Sequence, residues 1–150
     1  MAPDVIYSIS AADGTFTALS PTFEAITGWP VEEWLGKSFA AIVHPDDLPL
    51  AFERYQQGLR GESPPPYELR IRSRSGEYLV GEFRARPQIE QGRVIGKIGI
   101  ARDVTARKRA EDALRFLAEA SETLASSLDY QTTLANVARL GAKPKWLTPP

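Results

Sequence analysis

The chain has 150 residues, 43% of them hydrophobic and 25% charged, and its 18 Lys and Arg against 19 Asp and Glu leave a formal net charge of -1. This suits one core-forming domain with an appended element, and a near-neutral balance supplies no long-range field for nucleic acid or an anionic membrane surface. The absence of cysteine excludes disulfides, thiolate metal sites, thiol nucleophiles and cofactors attached through sulfur.

The N-terminus lacks a basic region followed by an apolar stretch, and no run approaches the roughly 18 apolar residues of a membrane span, so the expected location is cytoplasmic. Residues 5–10 are rich in β-formers, and Asp13-Gly14 favours positive φ before a second run at 15–19, which together predict a β-hairpin. Ser20-Pro21 combines an N-cap residue with proline at the first helical position, opening a short helix with Phe23 and Ile26 that Gly28 stops. Residues 31–36, with Trp34, and 38–42, with Ile42, are too short for independent helices and read as single turns packed on something larger. After His44-Pro45-Asp46-Asp47, where proline disfavours helix at His44 and an Asp can cap, Leu48, Phe52, Tyr55 and Leu59 recur at helical spacing to about residue 60.

Beyond the proline-rich loop at 63–66 the hydrophobic period becomes two. Tyr67, Leu69 and Ile71 alternate with Glu68, Arg70 and Arg72, and after the Ser75-Gly76 turn Leu79, Phe83 and Ala85 alternate with more polar neighbours. Gln91-Gly92 marks another turn, and residues 94–104 supply a last strand with Gly96 and Gly99, small residues that let a ligand or the packed helices approach the sheet. That strand runs directly into Arg107-Lys108-Arg109, read as a solvated helix face, where the period changes again. Ala110, Leu114, Leu117, Ser121, Leu124 and Leu128 follow in steps of four and three, the seam of a coiled coil. Asp129 is expected to interrupt the heptads and cap a second short helix at 132–140, and the tail from 142 to 150 has no period.

Other chemistries fit less well. His44 is the single histidine and lies in a helix-start motif, while Asp46 and Asp47 are explained by capping and the helix dipole, with no third acidic ligand spaced to join them. The glycines of residues 92–99 lie inside a strand pattern with no helix opening after them, unlike a phosphate loop. Trp29 and Trp34 are expected to pack in the core rather than stack on a flat cofactor.

Taken in order, Asp13-Gly14, Ser20-Pro21-Thr22-Phe23, Ile26-Thr27-Gly28-Trp29, Glu33-Trp34-Leu35-Gly36-Lys37-Ser38, His44-Pro45-Asp46-Asp47, Arg74-Ser75-Gly76-Glu77, Gly92-Arg93-Val94-Ile95-Gly96 and Asp103-Val104-Thr105-Ala106-Arg107-Lys108 resemble the PAS family over residues 4–111. The resemblance implies an α+β fold, a five-stranded antiparallel sheet with short helices over one face, a small pocket between them, and a noncatalytic sensory or dimerisation role. It divides the chain into a PAS domain at 1–106, a signalling helix at 107–128 and the start of a following domain at 129–150. The expected pocket residues are Phe23, Ile26, Trp34, Ile42, Phe52, Tyr55, Tyr67, Leu69, Ile71, Phe83, Ile98 and Ile100; no catalytic or metal-binding residue is expected. Asp103, bonded to a nearby Arg or Lys, and Thr105, capping the helix, are the expected signal relay, and Ala110, Leu114, Leu117, Leu124 and Leu128 the seam of a homodimer.

The cofactor stays open. Light-sensing relatives of the flavin type need a cysteine that this chain lacks, and haem-binding relatives usually carry histidine within the long helix that His44 precedes. Noncovalent flavin, a small carboxylate, an aromatic metabolite or no ligand remain. Residues 116–121, 124–130 and Thr133-Leu134 resemble the linker and first helix leading into GAF domains of bacterial multidomain sensors. That likeness implies a downstream output domain in the same chain, a histidine kinase first, with a diguanylate cyclase or a phosphatase as alternatives.

Overall fold

The computed structural model describes residues 3–139, with side chains to residue 136; the unpatterned tail and the end of the expected second helix lie outside the described residues. The chain divides into two units between Lys108 and Arg109. In the first, strands β1 (Asp4–Ser10), β2 (Phe16–Leu19), β3 (Tyr67–Arg72), β4 (Tyr78–Glu90) and β5 (Arg93–Asp103) form one antiparallel sheet in the order β2-β1-β5-β4-β3. Between β2 and β3 run α1 (Thr22–Thr27), α2 (Val31–Trp34), 3₁₀ turns at Phe39–Ala41 and Pro45–Asp47, and α3 (Leu48–Leu59). The sheet and helix order match the expected architecture.

Pairing of β1 with β5 fixes which residues face the core. Val5, Tyr7 and Ile9 are buried, and their partners Ala101, Gly99 and Lys97 share that face. The even-numbered set on β5 is therefore on the other side, with Ile98 and Ile100 beside Ile6 in a shallow outer depression; Ile6 and Ile100 are 53% and 45% exposed. This corrects the assignment of Ile98 and Ile100 to the pocket. Both alternating sets of β5 contain apolar residues, so alternation alone does not choose a face, whereas the register with β1 does. Gly99 is small because the Tyr7 ring lies over it: a Cβ there would stand 2.5 Å from the ring.

Local chemistry sets the helix ends differently from expectation in two places. Pro21, with no side-chain cap, holds the N-cap position of α1, while Ser20 Oγ accepts the Ile6 N–H at 2.9 Å and ties the turn to β1. His44 Nδ1, rather than an Asp, caps the 3₁₀ turn by accepting the Asp46 N–H at 3.0 Å.

Helix α4 (Thr105–Arg139) is continuous through Asp129, which corrects the expected break there. Residues 105–139 contain neither glycine nor proline, and an N-cap residue without a breaker leaves the backbone ladder intact. At a rise of about 1.5 Å per residue this helix is roughly 50 Å long. The leucines of the expected seam, Leu114, Leu117, Leu124 and Leu128, are 59–68% exposed.

Candidate functional site

The inner sheet face and the helical layer line a partly open cavity of about 100 Å³. Phe23 and Ile26 reach it from α1, Ile42 from the turn after Phe39–Ala41, Tyr55 from α3, Tyr67, Leu69 and Ile71 from β3, and Phe83 from β4. These eight are residues the sequence placed in the pocket. Two others from the helical layer do not line it. Trp34, only 2% exposed, is packed edge-on against Phe16 and Trp29 as part of the core. Phe52 is 44% exposed, its ring 5.4 Å from that of Phe39.

The misplacement of Phe52 has a simple cause. The inward stripe of α3 is Ala51, Tyr55 and Gly58, at steps of four and three, one residue out of phase with the bulkier Leu48, Phe52, Tyr55 and Leu59 stripe. Small residues face the sheet because a side chain rises from it: a Cβ on Gly58 would meet Lys97 Cδ at 3.6 Å. Tyr55 anchors the same helix to the first hairpin, its hydroxyl lying 3.0 Å from the Ser10 and Ala11 carbonyl oxygens that it can donate to.

Lys97 is the functional candidate that sequence reasoning missed. It is 6% exposed and lines the cavity, and its ammonium donates to the Tyr67 hydroxyl at 2.8 Å. Burial first, and the Arg54 charge second, lower its pKa to about 8. Burial likewise pushes Tyr67 up to about 12 and Tyr7, whose hydroxyl interacts with that of Tyr67, well above the usual phenol range. Tyr7 and Tyr67 flank Phe83, with ring centroids 6.0 and 5.8 Å from it. The signal for Lys97 was its parity with Gly99 and Ala101, legible only once one face of β5 is known to be inward.

At the other end of the cavity Arg102 and Asp103 contribute to the lining. Asp103 Oδ1 accepts both the backbone N–H of Thr105 at 3.0 Å and its hydroxyl. Thr105 Oγ1 in turn accepts the Val80 N–H at 2.9 Å, so the first residue of α4 is bonded to β4. The expected bond from Asp103 to Arg or Lys is thus corrected: its carboxylate is held by Thr105, and it is Asp103 that caps the helix start. The cations following it serve the neighbouring strands. Lys108 Nζ lies 2.9 Å from Glu68, and Arg107 lies 3.4 Å from Glu68 and 3.7 Å from Glu82, so this run is more than a solvated face.

His44 and Asp47 do not form a catalytic pair. Asp47 is engaged by Arg70, through the backbone N–H at 2.8 Å and guanidinium contacts at 3.0 and 2.9 Å, which hold its carboxyl below the usual range. His44 packs its ring 4.5 Å from that of Tyr78, and neither residue lines the cavity. Among the described residues no group of three or more His, Asp or Glu is arranged to hold a metal ion, and no helix is long and apolar enough to cross a membrane.

A sheet in this strand order, helices over one face and a largely apolar cavity between them are the features of a PAS fold. A family model of that description matches residues 16–101, over half of the chain, and the chain belongs to the PAS family. Among solved structures, a sensory box histidine kinase/response regulator from Burkholderia thailandensis is 28% identical, with a TM-score of 0.64 over 80% of this chain and 91% of that one. The N-terminal domain of a diguanylate cyclase with PAS/PAC sensor from Marinobacter aquaeolei shares the fold at 22% identity and a TM-score of 0.63, over 71% of this chain and 99% of that one. The uncharacterized protein y4lL of Sinorhizobium fredii is 28% identical over 103 residues, 68% of this chain, which spans 12% of that relative's length.

Proposed function

We propose that this chain is a noncatalytic, cytoplasmic sensory module in which occupancy of the cavity biases the strand-to-helix joint and, through α4, an output domain further along the same polypeptide. The observation that carries this reading is that Asp103 both lines the cavity and holds the first residue of α4. A ligand that displaces Asp103 by a fraction of an ångström changes the bonds it makes to Thr105, and with them the tie to Val80. In thermodynamic terms the ligand shifts a two-state equilibrium only by its difference in affinity for the two states.

The exposed leucines of α4 give the change a listener: paired with a second copy of the chain, Ala110, Leu114, Leu117, Leu124 and Leu128 form the seam of a parallel two-stranded coiled coil. The similarity to a sensory box histidine kinase favours a kinase as the output. In the parent protein Asp103→Ala is expected to change regulation of the output while the PAS unit keeps its fold by circular dichroism. Unaltered regulation in a folded variant excludes the joint as the relay.

A further inference from the structure

Lys97 is 94% removed from solvent, yet among the described residues no carboxylate lies within ion-pair distance of it, and its hydrogen bond is to the neutral Tyr67 hydroxyl. Buried ammonium groups are normally matched by an opposite charge, because leaving water costs several kcal/mol. The surroundings deepen the imbalance. Arg54 stands over the same Tyr67 ring that Lys97 approaches, at 5.6 and 5.3 Å from its centroid. Its Nε is buried with no hydrogen-bond partner, while its Nη1 donates to Gln57 Oε1 at 2.9 Å and lies 3.9 Å from the Glu53 carboxylate. Two cations thus converge on one aromatic ring at the wall of a largely apolar cavity.

We propose that the cavity takes a short aliphatic monocarboxylate, with the carboxylate on the Lys97 ammonium and the alkyl group against the apolar walls. This rests on the sensory reading above and names the class of signal. Volume sets the size: an apolar cavity of about 150 Å³ holds the six carbons of benzene, so about 100 Å³ suits roughly four to six non-hydrogen atoms. A flavin ring system or haem is far larger. Charge sets the head group, since a pKa of about 8 leaves Lys97 mostly protonated at neutral pH and a carboxylate supplies the missing counter-ion. Phosphates and dicarboxylates are disfavoured, because Arg102, the other cation of the lining, is 55% exposed and already engaged by Asp4 at 3.2 Å, and Asp103 adds a negative charge to the same wall.

The test is calorimetric titration of the 150-residue chain with isobutyrate and with isobutyramide, its neutral isostere. Isobutyrate is expected to bind at least tenfold more tightly, and Lys97→Met and Lys97→Gln, each checked for native circular dichroism, are expected to bring the two within about twofold. In the wild-type protein, whatever the variants do, the ¹³Cε resonance of Lys97 is expected to move with isobutyrate and stay in place with isobutyramide. Equal affinities, a stationary Lys97 resonance or no binding at all overturns the carboxylate assignment while leaving the relay to be judged by Asp103→Ala. Binding on Lys97 with no change in helix pairing by sedimentation keeps the site and overturns the sensory reading.

Discussion

Lys97 and its phenol neighbours give the protein a defined response to alkali. The unfolded chain holds the lysine proton up to about pH 10.5 and the folded chain only to about 8, so between these values the unfolded state binds more protons and stability rises with pH. Tyr67 acts in the opposite sense: the folded state keeps its proton up to about 12 while the unfolded phenol ionises from 10, so stability falls from about pH 10 to 12. Urea unfolding as a function of pH is expected to show stability rising from about pH 8 to a maximum near pH 10 in the wild type and falling above it. Lys97→Met removes the rising limb and adds about 1–3 kcal/mol at pH 7, as replacement of an unmatched buried charge by an apolar side chain does. At the joint, Asp103→Ala strips the cap from Thr105 and is expected to cost about 1 kcal/mol in the same measurement. Gly99→Ala pushes a methyl into the Tyr7 ring and is expected to cost about 1–3 kcal/mol.

At the scale of elements, α3 and α4 differ in what surrounds them. Helix α3 is fixed by the sheet beneath it, and its most buried positions are the small Ala51 and Gly58, the latter leaving room for Lys97, which is why bulky Phe52 misleads. Helix α4 carries exposed leucines at the proposed seam positions, and burying each against a partner helix would be worth about 1.5–3 kcal/mol. Sedimentation equilibrium is expected to show self-association of the wild-type chain, and Leu117→Lys with Leu124→Lys to weaken it more than tenfold without altering the PAS unit. A wild type that stays monomeric at millimolar concentration rules out the seam. The continuity of α4 through Asp129 follows from the lack of a breaker, since a capping residue stops a helix only where the ladder is already interrupted.

At the scale of the whole molecule, the compact unit ends at Lys108, after the strand-to-helix joint and the ion pairs to Glu68 and Glu82. A chain cut after residue 108 is therefore expected to melt within about 4 °C of the 150-residue protein by calorimetry, the shift that about 1 kcal/mol makes in a domain of this size. A larger loss would mean that residues beyond 108 stabilise the sheet unit.

The sequence by itself determined the order of strands and helices, the hairpin at Asp13-Gly14, the turn at Gln91-Gly92, the change from period two to a helical repeat, and eight of the residues that line the cavity, because each is written in local spacing or in a turn residue's backbone preference. Only the tertiary structure decided which face of β5 is inward, that Lys97 rather than Ile98 or Ile100 meets the cavity, and that Asp103 is held by Thr105 rather than by a cation. The reason is physical: a strand with apolar residues in both alternating sets has no intrinsic inside, and a carboxylate beside several donors has no intrinsic partner, until register and packing choose between them.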